Sequence, residues 1–395
     1  MGTKLNHTAD LDAVDAYLAD CVRQALAGEP WRAWPSEWHS PEAHKAIIKR
    51  CHFHGISTIL AVSHNAYSGW PKSVSEPLLF EARLASVWEE SHKKTLIDLF
   101  ANLADAGIEA TVMKGTALAY LVYDPASMRR RGDTDLLIGI ADLERTRRLL
   151  KNAGFSTYSS PHGLYSQESW QLKVGHHLTH IIDLHWEPTD RPVLQRILRF
   201  EDFFQNRVAL ERLGSEVYGP SPVQMLIQGA LNQAWHTSRG YNVAEDRILG
   251  GRRLVWQVDY TKLLKRFNDQ LWDELIQVCR ERDARSIVYA ALAGTQKDLC
   301  VQIPERVMED LNQSPKQSPT HCYIMEPESA LTKLRDINVA SSMSKRRKIL
   351  KMAVFPPRDH LVSEYPELAH WPTFALQLRR YASSIVRVFK QFPSR

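Results

Sequence analysis

Two aspartates separated by one residue, Asp133 and Asp135, stand at the start of the apolar segment DLLI, within RRRGDTDLLI (residues 129–138). Side chains alternate along a β-strand, so both carboxylates are expected on the same face of it. Two carboxylates held together repel each other, and a hard divalent cation with oxygen ligands relieves that repulsion. The pair is therefore a candidate metal site, although aspartate is also common at strand ends and turns without any metal.

A third aspartate, Asp183, lies 50 residues after Asp133 in the segment THIIDLHW. Alternation places Ile181, Asp183 and His185 on one face of the expected strand. An ionised carboxylate within a strand is unfavourable unless it is paired or metal-bound. If this strand neighbours the first, Asp183 completes a two-metal site. The alternative is that Asp183 lies at a strand end and pairs with an arginine or with His185.

The tripeptide Lys114-Gly115-Thr116 falls between an expected strand and an expected helix. A glycine there lets the backbone approach a ligand, and the N–H groups at a helix N-terminus can bind phosphate. Lys114 would add a positive charge and Thr116 a hydroxyl. The alternative is an ordinary strand-to-helix turn in which Thr116 is the N-cap.

The elements that must position these residues are predicted from periodicity and from Gly and Pro signals. Strands are expected at 108–113 and 135–138, with two or three more between 155 and 186. Helices are expected at 10–28, 43–65, 76–106, 117–122, 141–153, 223–235, 253–267, 271–282, 284–299 and 373–389.

This order predicts an α+β protein with an α/β-like core. A small domain with a mixed β-sheet at residues 96–218 lies between an N-terminal helical region at 1–95 and a C-terminal helical domain at 219–395. The segments 312–320 and 344–351 are expected to be an exposed loop and a basic surface, respectively.

Taken together, the motifs resemble the polymerase-beta-like nucleotidyltransferase superfamily. Within it, the chain looks like a poorly characterised bacterial branch whose members often lie in polysaccharide or peptide biosynthesis clusters. The resemblance rests on Lys-Gly before a short helix, Arg-x-x-Gly-Asp-x-Asp-Leu-Leu and Asp-Leu-His-Trp (residues 114–115, 129–137 and 183–186). It extends to His236, to Arg-Leu-x-Trp-x-x-Asp and to a late Phe-Pro segment (residues 253–259 and 355–358).

The resemblance implies that Asp133, Asp135 and Asp183 are the catalytic and metal-binding residues. It places Lys114, Gly115 and Thr116 in the phosphate turn, where the superfamily usually has Gly-Gly or Gly-Ser. Arg129 matches an arginine of the branch and is a further candidate nucleotide contact. Arg130 and Arg131 lie outside the shared pattern and are expected in a solvated loop, and His185 is expected beside the nucleotide site, orienting a carboxylate.

The activity implied by the resemblance is transfer of a nucleoside monophosphate from a nucleoside triphosphate to a hydroxyl acceptor, with release of pyrophosphate. It requires Mg²⁺ or Mn²⁺, and ATP is the expected donor. A small molecule, a sugar or a peptide is the favoured acceptor, and tRNA is an alternative that the basic run SKRRKILK supports.

Two other functions remain open from the sequence. A protein of the same fold can bind nucleotide or act as a scaffold without turnover, although it would not need three carboxylates. The histidines of HHLTHIIDLH (residues 176–185) suggest a metal hydrolase, but their spacing matches no strong zinc signature. A Gly-x4-Gly-Lys-Ser/Thr loop is absent, which disfavours a P-loop NTPase.

Composition suggests a soluble, cytoplasmic protein. The 395 residues carry a net charge of +5, which suits an anionic substrate without requiring nucleic acid. The five cysteines include no Cys-x-x-Cys pair, so free thiols in a reducing compartment are expected. The N-terminal segment lacks the apolar core of a signal peptide, and no run reaches the ~18 apolar residues of a membrane span.

Overall fold

A computed structural model describes most of the chain. The described residues are 11–63, 67–159, 166–175, 177–243, 246–248, 251–314, 318–326, 330–340, 342–356, 358, 361–362 and 365–391. Among them, no helix is both long enough and apolar enough to cross a bilayer. All five cysteines are free thiols, as the sequence predicted.

Helices form most of the structure. In chain order they are α1 Leu11–Ala27, α2 Pro41–His54, α3 Ser57–Ala61, α4 Lys72–Asp105, α5 Lys114–Val122, α6 Leu143–Asn152, α7 Pro222–Arg239, α8 Leu254–Leu264, α9 Asp269–Glu281, α10 Arg285–Leu299, α11 Glu305–Asn312, α12 Pro319–Met325, α13 Ala330–Val339, α14 Met343–Val354 and α15 Thr373–Gln391.

A mixed sheet of seven strands lies among these helices, in the order β3-β4-β5-β2-β1-β7-β6. Its strands are β1 Ala110–Met113, β2 Asp133–Ile138, β3 Ser156–Ser159, β4 Gln167–Val174, β5 Leu178–His185, β6 Val208–Ala209 and β7 Tyr218–Gly219. The pairs β2–β5 and β1–β7 are parallel, and the other neighbours are antiparallel. A separate hairpin pairs β8 Tyr241–Val243 with β9 Asp246–Ile248.

The predicted α+β class is confirmed. The strand pattern between 155 and 186 predicted two or three strands, and three are present. The helical stretch predicted at 43–65 is divided into α2 and α3, because Gly55 adopts the left-handed backbone conformation that ends α2 (φ 67°). Helices α11 to α14 were not predicted from the pattern.

Strand β2 lies at the centre of the sheet, between β1 and β5. Its residues Leu136, Leu137 and Ile138 are completely buried. A strand that is covered on both faces reads as a continuous apolar run instead of an alternating one. This explains why the acidic pair is followed directly by Leu-Leu-Ile, and it gives β2 a rigid position in the core.

Helix α4 covers one face of this sheet and spans 34 residues. Its buried positions recur at helical spacing and include Leu78, Glu89, His92, Leu96 and Leu103. Residue 95, where the N-terminal region was predicted to end, falls inside this helix. One continuous cluster of buried apolar residues extends from Val14 to Ile324, so the three-domain division stays a prediction.

We expect the stability of the protein to depend on the packing of β2. Replacement Leu136→Ala should reduce the free energy of unfolding by about 2–5 kcal/mol, because it leaves a cavity in the core. Leu84→Ala is the matched control, since Leu84 lies on α4 with 54% of its surface exposed and should have little effect. Thermal and urea unfolding of the two variants measure this, and equal losses in both would contradict the described burial.

Candidate active site

Three carboxylates meet on adjacent strands at one face of the sheet. Asp133 and Asp135 lie on β2, and Asp183 lies on β5. The parallel register places Asp135 directly beside Asp183 and Asp133 beside Ile181. Because side chains at positions two apart share a face, all three aspartates belong to the same side. Residues separated by 50 positions in the chain are thereby brought together.

Three neighbouring side chains contact these carboxylates directly. The Lys114 Nζ lies 2.5 Å from Asp135 Oδ1, and the His185 Nε2 lies 2.9 Å from the same oxygen. The Ser169 hydroxyl donates to Asp183 Oδ1 over 2.6 Å. Asp135 thus has a cation and an imidazole as partners, whereas Asp183 has a neutral hydroxyl.

The pKa values of the three acids diverge because their surroundings differ. Burial, together with the charges of Asp135 and Asp183, raises the pKa of Asp133 to about 7. Burial would also raise the pKa of Asp135, but the Lys114 ammonium and the His185 hydrogen bond outweigh it and hold that pKa well below its usual range. Burial and the charge of Asp135 raise the pKa of Asp183, against the effect of the Ser169 hydrogen bond.

The donor set fits a divalent cation. One ligand atom from each of Asp135, Asp183 and His185 lies within 4.8 Å of the others. Asp133 is not one of these three residues, but it lies on the same face, and the charges of Asp135 and Asp183 contribute to the rise of its pKa. Carboxylate oxygens are the ligands that Mg²⁺ and Mn²⁺ prefer, and imidazole is accepted by Mn²⁺ and later metals. A cation here would relieve the repulsion that raises the pKa of Asp133.

The turn after β1 carries an unusual backbone conformation at Lys114. Its φ of 52° is in the left-handed region, which glycine adopts readily and lysine rarely. The following residue, Gly115, has ordinary space around it, since an added Cβ would meet the side chains of Arg131 and Arg129 at 3.7–3.9 Å. The unusual backbone conformation of this turn is therefore at Lys114 and not at Gly115. The sequence did not predict this.

Thr116 and Arg129, two predicted nucleotide contacts, have protein partners in the structure. Thr116 is buried, and its hydroxyl lies 2.9 Å from that of Thr134 on β2. Arg129 forms two hydrogen bonds with the carboxylate of Asp259 on α8, at 2.7 and 2.9 Å, and Tyr123 donates to the same carboxylate. Thr116 and Arg129 thus contact other protein groups, and these contacts hold the acidic strand and the segment before it in place.

The expectation of a solvated loop is wrong for Arg131, whereas Arg130 is exposed, with 53% of its side chain accessible to solvent. Arg131 is almost completely buried, with 3% of its side chain exposed, and pairs with both oxygens of Glu89 on α4 at 2.6 and 2.8 Å. Arg130 pairs with Glu81 on the same helix. The segment in front of β2 is therefore held by ion pairs, which the run of three arginines alone could not distinguish from a solvated surface.

A chain of buried polar groups continues behind β2. The Arg131 Nε donates to the Thr116 hydroxyl at 2.9 Å, and Thr134 lies 2.8 Å from the Nε2 of His92. Burial and the Arg131 charge lower the pKa of His92 well below its usual value, so this imidazole is neutral. Glu89 and His92 occupy the apolar stripe of α4. A charged residue within such a stripe was the available signal, and the sequence reasoning missed it.

Two further residues near the site were also missed. Ser169 on β4 is paired in register with Asp183, which no local pattern in the sequence reveals. Asp190 lies after β5 and accepts a hydrogen bond from the backbone N–H of Ser166 at 2.6 Å. Burial raises the pKa of Asp190, and the charges of His185 and Lys114 act against that rise, which places this carboxylate near the acidic cluster.

The histidines of the strand do not converge on one metal. His180 is on the opposite face of β5 from Asp183, where its Nε2 lies 2.9 Å from the Ser91 hydroxyl and its ring packs against His92. His176 lies outside the described residues. Among the described histidines of this segment, His185 is the one grouped with the carboxylates, and this disfavours the hydrolase alternative.

Helices from the C-terminal half also border the site. The charges of Lys114 and Arg253 both act on His236 of α7, which is half-buried. Gln228 of the same helix contacts the sulfur of Met113, the residue that precedes Lys114.

In the basic run of α14, Arg346 donates to the carbonyls of Asn338 and Ala340 and so caps α13.

Comparison with known families identifies a match over most of this region. A model of an uncharacterised nucleotidyltransferase family matches residues 40–297, about two thirds of the chain, which includes every residue of the acidic cluster and the helices α2 to α9. The chain belongs to this family. A comparison with proteins of curated function finds no match.

We expect the ion pair between Arg131 and Glu89 to support the acidic strand. Arg131→Met should leave Glu89 buried without its cation and should lower the free energy of unfolding by about 3–5 kcal/mol. Arg306→Met is a control of the same type, because the pairs of Arg306 with Asp269 and Asp273 are exposed. Thermal unfolding separates the two, and an unchanged midpoint in Arg131→Met would contradict the supporting role.

Proposed function

We propose that this member of the nucleotidyltransferase family transfers a nucleoside monophosphate from a nucleoside triphosphate to a hydroxyl acceptor and releases pyrophosphate. The observation that carries the proposal is the register between β2 and β5, which aligns Asp135 with Asp183 while Asp133 shares their face. Three carboxylates on one face suit metal-assisted transfer, because the charge on the reacting phosphates must be neutralised. A scaffold protein would have no use for this repulsive cluster.

We assign the metal-binding role to Asp133, Asp135 and Asp183, with His185 beside them. Bound Mg²⁺ or Mn²⁺ supplies electrostatic stabilisation of the phosphate oxygens and lowers the pKa of a coordinated hydroxyl. His185 holds the Asp135 carboxylate in position through its contact of 2.9 Å. Ser169 does the same for Asp183, which we assign as the acceptor of the proton from the attacking hydroxyl.

The phosphate side of the site is assigned to the turn at the start of α5. Lys114 contributes a positive charge there, and Gly115 beside it is partly exposed. The N-terminus of a helix carries partial positive charge, which favours phosphate. Thr116 and Arg129 contribute indirectly, by holding this turn and the segment before β2. This placement supports the polymerase-beta-like relationship, in which a turn precedes the Asp-x-Asp strand and a third aspartate follows.

We propose ATP as the donor and a small molecule, sugar or peptide as the acceptor. The mild positive charge of the chain suits an anionic donor and does not require nucleic acid. Arg346 in the basic run of α14 caps a neighbouring helix, which weakens the argument for tRNA. The free thiols are consistent with a reducing compartment, and we therefore place the protein in the cytoplasm.

The Asp135 carboxylate should be essential for transfer. Asp135→Asn should lower the rate of pyrophosphate release from ATP with Mg²⁺ or Mn²⁺ by at least about 100-fold, since a charge that stabilises the reacting centre is lost. The control is Asp98→Asn, a neutralised aspartate exposed on α4 that should keep full activity. Thermal unfolding establishes that both variants are folded, and full activity in Asp135→Asn would exclude this mechanism.

The acceptor is found with the same proteins. The wild type is incubated with each nucleoside triphosphate and with sugars, peptides or tRNA, and the added mass of a nucleotide is sought by mass spectrometry. A protein that binds nucleotide without turnover would release no pyrophosphate above the level of Asp135→Asn with any acceptor.

Ser169 should act by orienting Asp183. Ser169→Ala removes a hydrogen bond of 2.6 Å to a carboxylate that we assign to the metal, and such losses typically reduce metal affinity about 10–100-fold. Titration with Mn²⁺ measures this directly. Ser156→Ala, an exposed serine at the start of the neighbouring β3, is the matched control, and equal Mn²⁺ affinity in both variants would remove Ser169 from the site.

A further inference from the structure

Lys114 is a cation placed within the acidic cluster itself. Its Nζ is 2.5 Å from Asp135 Oδ1, and the charges of Asp133 and Asp183 act on it as well. Asp135 is nearly buried, with 8% of its side chain exposed, while 31% of the Lys114 side chain is exposed. Part of the Lys114 side chain is therefore open to solvent, whereas the carboxylate that it contacts is not.

The backbone of Lys114 is held in an unfavourable conformation that directs it there. A lysine in the left-handed region is uncommon and persists when neighbouring structure determines it. Here β1 pairs with β2 so that Met113 is opposite Asp135, and the next residue must turn into α5. The chain uses lysine at a position where glycine would fit the backbone better, which indicates that the side chain has a role.

The Asp135 carboxylate serves two competing demands. Its Oδ1 already receives both Lys114 and His185, and the same carboxylate belongs to the group that fits a divalent cation. An ammonium and a divalent cation at one carboxylate repel each other, and the repulsion is strong where little water screens it. Full occupancy by both is therefore disfavoured.

We propose that Lys114 is the resident counter-ion of the acidic cluster. Its ammonium pairs with Asp135 until a metal and a triphosphate bind together, and it then leaves Asp135 and pairs with the triphosphate. This proposal rests on the proposed function. It makes the binding of metal and of nucleotide mutually dependent, because nucleotide offers Lys114 a new partner and frees Asp135. By linkage, metal raises nucleotide affinity by the same factor. In the absence of nucleotide, the site then binds metal only weakly.

The test is the affinity for Mn²⁺, measured by electron paramagnetic resonance on the full-length chain. The proteins are the wild type, Lys114→Met and Lys114→Arg, with Lys173→Met as the control because Lys173 is exposed at the far end of β4 from Ser169. Each is titrated alone and with an ATP analogue that has a methylene group between the α- and β-phosphates. Thermal unfolding verifies folding, and Lys114→Gln replaces Lys114→Met if the latter does not fold.

Without nucleotide, Lys114→Met should bind Mn²⁺ at least about tenfold more tightly than the wild type, because a competing positive charge has been removed. With the analogue, the wild type should gain affinity for Mn²⁺ and Lys114→Met should gain much less. Lys114→Arg and Lys173→Met should behave like the wild type. Equal or weaker Mn²⁺ binding by Lys114→Met in the absence of nucleotide would overturn the proposal.

The outcomes also separate this inference from the proposed function. Comparison with Asp135→Asn tests whether the wild type binds Mn²⁺ through Asp135. If it does, and if Lys114→Met binds Mn²⁺ no more tightly than the wild type, then the counter-ion role alone fails. If the wild type binds no Mn²⁺ with or without the analogue, then the metal-dependent function fails, and the counter-ion role fails with it.

Discussion

Repulsion among three carboxylates is the constraint on which the rest of this structure depends. The register of β2 and β5 brings Asp135 and Asp183 side by side, with Asp133 on the same face. A cluster of this kind is unfavourable in a folded protein unless positive charge or hydrogen bonds offset it. Lys114, His185 and Ser169 supply that compensation unevenly, which lowers the pKa of Asp135 and leaves those of Asp133 and Asp183 raised.

The segment that leads into β2 shows how the surrounding helices answer this constraint. Its three arginines reach in different directions, Arg129 to Asp259 on α8 and Arg130 and Arg131 to Glu81 and Glu89 on α4. The acidic strand is thereby tied to the N-terminal and the C-terminal helical layers. Transfer to phosphorus depends mainly on positioning and on charge, so a strand fixed from both sides is what such chemistry requires. The helices therefore hold the acidic strand in position, in addition to any role in selecting substrate.

The two faces of β2 carry different kinds of polar chemistry. One face carries the three carboxylates, of which Asp133 and Asp183 are partly exposed, whereas on the other Thr134, Thr116 and the neutral His92 form a buried network of hydrogen bonds. A buried network of this kind makes the position of a strand specific, because every member must keep its partner. The position of the charged face is therefore defined by the neutral face behind it, and family membership over residues 40–297 spans both.

Much of this could be predicted from the sequence, and the limit has a physical origin. Alternation along a strand was sufficient to place Asp133 and Asp135 on one face, and periodicity was sufficient to identify the α+β class and most helices, because these patterns depend on neighbours in the chain. The alignment of Asp135 with Asp183, the contact of Ser169 and the partners of the three arginines depend on which elements pack together. Arg129 and Asp259 are separated by 130 positions, and no local pattern specifies that pairing. The tertiary structure alone also decided that Lys114 adopts a left-handed backbone, at the point where β1 ends opposite Asp135 and the chain enters α5 at the next residue.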